Sequence, residues 1–308
     1  SHPIHDHPLA GIIPAGGPSA HARTDCSARE YDLPAISEDR RYDLGARKGS
    51  MTSFSPETQT SIKFAADLIR QSKHAVVLTG AGISTPSGIP DFRSSGTGLW
   101  SHDEPLEVAS LSTFRTKPSL FFEWFRPLAH QMFDARPNAA HIALAQLEER
   151  GFVKAIITQN VDVLHQRAGS KNVIEMHGTM QTLTCTQCYH HVQAESYISD
   201  YVETGKLPCC PKCGALLKPD VILFGEQMPQ AALSSAQRAA RACDLMLVVG
   251  SSLEVLPVAG LPMQALDRGA HLIILNNDPT YLNVRADAIF YEDVAEVLPA
   301  ITERVFNG

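Results

Sequence analysis

Two Cys-x-x-Cys pairs carry the clearest chemistry in this chain. Cys185-x-x-Cys188 and Cys210-x-x-Cys213 stand 21 residues apart and supply four thiolates, the number a tetrahedral zinc ion takes. A site whose four positions are all filled by protein has none open for substrate, so one structural ion is expected. Pro208, Pro211 and Gly214 supply turns suited to such knuckles. Cys209 competes with Cys210 as third ligand, and the two-residue spacing to Cys213 favours Cys210. A nucleic-acid-binding ribbon is the alternative reading, which the unremarkable charge of this stretch does not support.

A second cluster begins where the apolar run Ala75-Val76-Val77-Leu78 meets Gly80-Ala81-Gly82, the pattern of a buried strand ending in a tight turn. Glycine lets backbone approach a phosphate closely, and a helix starting beyond it would aim N–H groups at the anion. Such a turn alone is weak evidence, and Thr85 stands where the dinucleotide fingerprint Gly-x-Gly-x-x-Gly needs its third glycine. Ser84, Ser87-Gly88-Ile89-Pro90 and Asp91-Phe92-Arg93 continue the run. Further on stand Gln159, Asn160 and Asp162, types that by themselves suit a strand-end turn. His177-Gly178 follows, and a histidine there is either a satisfied core side chain or a base of near-neutral pKa.

Taken together, the Thr79–Arg93 run resembles the cofactor loop of the sirtuins, the NAD-dependent protein-lysine deacylases. Gln159-Asn160-Val161-Asp162, His177-Gly178, the two cysteine pairs, Lys218 to Glu226, Gly250-Ser251-Ser252 and Asn276 follow in the order of that family, over about residues 60–300. The resemblance implies that His177 is the general base, with Asn160 beside it at the catalytic centre. It implies NAD contacts from Gly80, Ala81, Gly82, Ser84, Asp91, Phe92, Arg93, Gln159, Asn160, Asp162, Gly250, Ser251, Ser252, Asn276, Asp278 and Val294. Asp162 would orient the nicotinamide carboxamide, and Phe92 would shield the reactive ribose face. An acyl-lysine channel is implied at Phe92, Ile222 and Phe224, with a peptide strand added between Gly225-Glu226 and Leu253-Glu254-Val255. In the implied reaction the acyl oxygen attacks the nicotinamide ribose, nicotinamide leaves, and free lysine and O-acyl-ADP-ribose are released. Two departures stand out. Asp278 replaces a frequent Glu, and Glu292-Asp293 replaces a frequent Gly-Asp ahead of the Val294 region. Relatives that remove acidic acyl groups carry a Tyr and an Arg three residues apart, where this chain has Phe121-Phe122-Glu123-Trp124-Phe125-Arg126. The partner implied is therefore an acetylated protein or peptide. NAD-dependent ADP-ribosylation of protein and a non-catalytic NAD-binding scaffold are the alternatives.

The elements that must hold these groups alternate. An amphipathic helix (Ile62, Ala65, Ala66, Leu68, Ile69) precedes the first strand. Strands are expected at Ala155–Thr158, Asn172–Glu175, Leu245–Gly250, His271–Leu275 and Ala288–Tyr291, with helices at Ala139–Arg150 and Gln230–Ala242. The fold class is α/β, a Rossmann-like parallel sheet with helices on both faces plus a small zinc-ribbon module. The catalytic domain is expected over 51–308. Its core spans about 55–93, 136–180 and 219–308, a helical cofactor-loop part about 94–135, and the zinc module about 181–218. Residues 1–50, rich in Pro, Gly, His and mixed charge, read as a flexible leader, either an expression remnant before Met51 or a genuine extension. A net charge of −7 argues against a broad nucleic-acid surface, and no run approaches the ~20 apolar residues that span a bilayer. Paired rather than scattered cysteines suit a reducing, cytoplasmic setting. A monomer or weak oligomer is expected.

Overall fold

The computed structural model describes residues 54–91 and 105–308. The leader assigned to 1–50, and Phe92 and Arg93, lie outside the described residues.

Strand β1 (Ala75–Thr79) is the centre of the molecule, and its five residues are all buried. On one side it pairs in parallel with β2 (Val153–Thr158), which pairs with β3 (Val173–Glu175). On the other side come β7 (Leu245–Val249), β8 (His271–Leu275) and β9 (Ala288–Phe290), again all parallel. The order β3-β2-β1-β7-β8-β9 is doubly wound, and the chain switches sides between β1 and β7. In open α/β sheets that switch point is where a crevice opens at the strands' carboxyl ends.

Alternate residues of the strands feed two cores. Ala75 and Val77 of β1 face helices α1 (Pro56–Gln71), α5 (Ala139–Glu149) and α10 (Val294–Asn307). Val76 and Leu78 face α8 (Gln230–Ala242) and α9 (Leu261–Leu266). Burial on both faces explains why these strands read as continuous apolar runs rather than alternating ones. Helix α1 starts as its sequence dictates. Ser55 caps the Thr58 N–H, Pro56 fits the first turn, and Ile62, Ala65, Ala66 and Ile69 line one stripe.

A second sheet is antiparallel. It joins β4 (Gly178–Cys185) to β5 (His191–Gln193) and β6 (Leu217–Val221). Its ladder runs from Gly178 to Val221, wider than the 181–218 span marked by the cysteines. A third core joins this sheet to α3 (Leu111–Thr116), α4 (Pro118–Asp134) and α7 (Glu195–Thr204) through Phe114, Phe121, Phe122, Phe125, Ile198 and Tyr201. Two short helices, α2 (Pro105–Val108) and α6 (Leu164–Ala168), complete the described α-helices. The helical part expected at 94–135 is thus represented by α2, α3 and α4.

Candidate active site

Strands β1, β2, β7 and β8 end at Thr79, Thr158, Val249 and Leu275, and the next residues are Gly80, Gln159, Gly250 and Asn276. Four separate motifs therefore meet at one edge of the sheet. The Gly80 N–H bonds the Val249 carbonyl at 3.1 Å, and the Gly82 N–H bonds the Gly250 carbonyl at 2.9 Å. Gly250 has φ +61°, and a Cβ there would lie 2.2 Å from the Ile83 nitrogen. Only glycine allows that approach of two turns.

Ser84 joins the Gly-rich turn to the end of β2. Its hydroxyl donates to Asp162 Oδ2 at 2.6 Å and accepts from Asn160 Nδ2 at 3.1 Å. Asn160 Nδ2 also reaches the Gly80 carbonyl at 3.1 Å, and Gln159 Nε2 reaches Ser251 Oγ at 3.0 Å. Burial raises the Asp162 carboxyl above the usual aspartate value, while the bonds from Ser84 and from the Leu164 N–H pull it back toward the ionised form.

His177 lies just past β3, its Nδ1 2.9 Å from the Gln159 carbonyl. A carbonyl can only accept, so Nδ1 carries the proton and Nε2 keeps its lone pair. Burial holds this imidazole below the ordinary 6.5, outweighing the opposing effect of the carbonyl, so it is neutral at pH 7. The arrangement is a base with its tautomer set by one backbone bond.

Two clefts flank this centre. One, of about 400 Å³, lies between Gly82, Thr85 and Pro86 on one wall and Asn277, Tyr291, Asp293 and Val294 on the other. The second, of about 560 Å³, is lined by Ser110, Leu111, Ser112, Arg115, Thr116, Phe224 and Gly225. Both have the size of small-molecule sites.

In the antiparallel sheet the four thiols converge. Cys185 Sγ is 3.4 Å from Cys213 Sγ, Cys188 Sγ is 3.6 Å from Cys210 Sγ, and all four sulfurs lie within 4.8 Å of one another. Zn–S bonds of ~2.3 Å at tetrahedral angles separate sulfurs by about 3.8 Å, so the set fits zinc. The N–H groups of Gln187 and Cys188 point at Cys185 Sγ, 3.4 Å away, as suits a thiolate. Cys210 belongs to the cluster and Cys209 does not.

The Sir2 family profile matches residues 80–257, which includes every motif just placed except Asn276. This chain belongs to the Sir2 family. It is 47% identical over 248 residues to NAD-dependent protein deacylase 2 of Archaeoglobus fulgidus, covering 80% of this chain and 97% of that one. A solved Sir2 enzyme, from work on the mechanism and regulation of Sir2 enzymes, is 46% identical with a TM-score of 0.74, covering 80% of this chain and 98% of the other. A Sir2 protein in complex with a p53 peptide and NAD+ is 40% identical with a TM-score of 0.71, covering 79% of this chain and 97% of that one.

Against the Sir2 expectations, the structure brings Gly80, Gly82, Ser84, Gln159, Asn160, Asp162, Gly250 and Ser251 into one connected network. Ala81 is in the same turn, Asp91 is half-buried at its far end and Ser252 is exposed beside Ser251. Asn276 is buried, and its Nδ2 bonds the Asp278 backbone carbonyl at 2.7 Å, whereas Asn277, not Asp278, lines the cleft. Val294 does line it, at the first turn of α10, which Asp293 caps. On the peptide side, Ile222 is half-buried and Phe224 exposed, and the Phe224 backbone is bonded to Ala109 and Leu111. The Glu226 carboxylate is engaged internally, 2.9 Å from Lys218 Nζ and 2.8 Å from the Leu223 N–H. Leu253 turns its side chain into the core, so only its backbone is available to a peptide. Thr85 and Pro86 lie within the Thr79–Arg93 run but were not singled out, and Asn277, Tyr291 and Arg115 were assigned no role; Asn277 stands two residues past β8 and Tyr291 one past β9.

Proposed function

We propose that this chain removes acetyl and other apolar acyl groups from protein lysine side chains, consuming NAD and releasing nicotinamide, O-acyl-ADP-ribose and free lysine. The observation that carries this reading is His177: a neutral imidazole with Nδ1–H held by the Gln159 carbonyl and Nε2 unprotonated. Its bond to Gln159 sets it beside Asn160 and Asp162, which Ser84 ties to the Gly-rich turn. Bound NAD supplies an electrophilic ribose and a leaving group. The chain's own residues bind and orient it. Gly80, Ala81, Gly82, Gly250, Ser251 and Ser252 present backbone and hydroxyls at the sheet's edge, and the cleft between Gly82 and Val294 takes the adenosine side. Asn160 and Gln159 face the reacting ribose, Asp162 orients the carboxamide, and His177 Nε2 takes the hydroxyl proton. By the family resemblance, Asp91, Phe92 and Arg93 would contribute to the cofactor loop. Acyl-lysine enters past Ile222 and Phe224, its backbone against Gly225 and Leu253. Zinc, held by Cys185, Cys188, Cys210 and Cys213, supports the small sheet. The partner is an acylated protein, and among the described residues no helix is long and apolar enough to cross a membrane.

Mass spectrometry of an acetyl-lysine peptide incubated with protein and NAD tests the reading. Free lysine together with O-acetyl-ADP-ribose is expected. ADP-ribosylated protein with the acetyl group retained would replace this assignment with transferase activity.

A further inference from the structure

A group of fully buried polar side chains lies behind the catalytic segment and touches neither cleft. Thr79 and Thr158 close the adjacent strands β1 and β2 and face each other in register. The Thr79 hydroxyl donates to Thr158 Oγ1 at 2.9 Å, and Thr158 Oγ1 also accepts the Asn160 N–H at 3.1 Å. On the far side, Thr79 Oγ1 lies 2.9 Å from His165 Nε2. The threonine proton is already committed to Thr158, so His165 must donate through Nε2–H. The far nitrogen, Nδ1, is buried without a hydrogen-bond partner. An orphaned buried nitrogen is costly, and an apolar side chain of similar size would fill the space without that cost. Packing alone does not account for His165.

We infer that His165 is a positioning residue, fixing the catalytic Asn160 backbone through the relay His165–Thr79–Thr158–Asn160. Each link is a side chain at a strand or helix end, and the last link is the amide of the residue whose Nδ2 spans Gly80 and Ser84. Tilting that amide would swing Asn160 relative to the ribose, and displacements of this kind cost much more in rate than in stability. His141 packs on His165 with ring centroids 4.9 Å apart. His141 Nδ1 accepts the Asn138 N–H at 3.4 Å, while Asn138 Nδ2 holds the Ile83 carbonyl and Ser87 Oγ at 2.8 and 2.9 Å. The buried histidine pair thus sits between the Asn160 relay and the base of the cofactor loop.

The inference rests on the deacylase reading, and its test separates the two. His165→Phe and Thr79→Val break the relay with little change in volume; His165→Gln keeps a donor. Each is compared with wild type for kcat, KM of NAD, KM of acetyl-peptide and NAD affinity by calorimetry. Zinc content and cooperative melting report folding. We expect kcat/KM for NAD to fall about 10- to 100-fold in His165→Phe and Thr79→Val, with weaker NAD binding and peptide KM within about 2-fold. His165→Gln should stay within about 3-fold of wild type. Folded His165→Phe and Thr79→Val proteins with wild-type NAD parameters would overturn the relay, as would His165→Gln being as impaired as His165→Phe. If His165→Phe does not fold, Thr79→Val and His165→Gln decide by the same criteria. Wild-type protein that binds NAD without deacylating would sink the deacylase reading alone, and the calorimetric comparison would still judge the relay.

Discussion

In the proposed reaction, His177 owes its fitness as a base to one backbone bond and to burial. The Gln159 carbonyl keeps the proton on Nδ1, and burial depresses the pKa, so the Nε2 lone pair is available throughout the neutral range. His177→Ala should lower deacylation ~10²–10⁴-fold while leaving the melting temperature close to wild type, since it removes a base but little core volume. Near-wild-type turnover in a folded His177→Ala protein would refute the assignment. Because the shift is downward, the acid limb of kcat/KM should fall with a midpoint below 6.5, and a pH–rate profile on a neutral peptide reads it directly. Arg126 decides a second property. It is buried, and its Nε and Nη2 donate to the Val202 carbonyl at 3.1 and 2.9 Å, with Nη2 also reaching the Glu203 carbonyl at 3.1 Å. That cation is committed to the end of α7, and the neighbouring Phe121, Phe122 and Phe125 are buried aromatic rings. A succinyl carboxylate buried unpaired costs at least ~2 kcal/mol, so kcat/KM for acetyl-lysine should exceed that for succinyl-lysine by roughly 30-fold or more. Equal values on matched peptides at saturating NAD would show that a cation reaches the acyl group.

Among the elements, the small antiparallel sheet depends most on what binds it. Strand β4 ends at Cys185, β6 carries Asp220 one residue from its end, and the chain between them is pinned by the sulfur cluster. Structural zinc contributes folding energy outright, so Cys210→Ser should lose the ion and melt this sheet with its share of the third core. Cys209→Ser should keep one equivalent. Elemental analysis of the two purified variants checks this, and zinc lost from Cys209→Ser but kept by Cys210→Ser would reverse the ligand assignment. The parallel sheet was legible in sequence because burial on both faces makes its strands uninterrupted apolar runs, and each run ends in a motif. The cysteines were legible because zinc fixes their spacing, whereas His177, Asn160 and Asp162 stood out only through the family resemblance, since by themselves their types suit turns and core positions equally well. The rest lay beyond sequence reach for physical reasons. Asn277 and Tyr291 line the cleft only because β8 and β9 pair side by side. The engagement of Glu226 with Lys218, and the inward turn of Leu253, depend on tertiary packing that no local pattern encodes. The relay from His165 joins residues separated by 86 positions.

For the molecule as a whole, the same buried histidines set how folding responds to acid. His141 and His165 lie between α5, α6 and the sheet, where burial pushes their pKa values down to about 4 and about 3, His165 further lowered by its neighbour. In the unfolded chain both titrate near 6.5. A histidine with a depressed folded pKa contributes its full stability above the unfolded value and loses it as pH falls toward the folded one. Each should therefore cost about 2 kcal/mol of folding stability between pH 7 and pH 5, together about 4 kcal/mol, a large part of what a domain of this kind has to spare. The loss should be global, since the pair is packed against strands that feed the two cores of the parallel sheet. His165→Gln supplies the control, because it removes one titrating imidazole while keeping the donor to Thr79. Denaturant unfolding of wild type and His165→Gln at pH 7, 6 and 5 measures the difference. The variant should lose about half as much as wild type from these groups, so its stability advantage should grow as the pH falls. Parallel pH dependences in the two proteins would show that His165 is not held neutral in the fold.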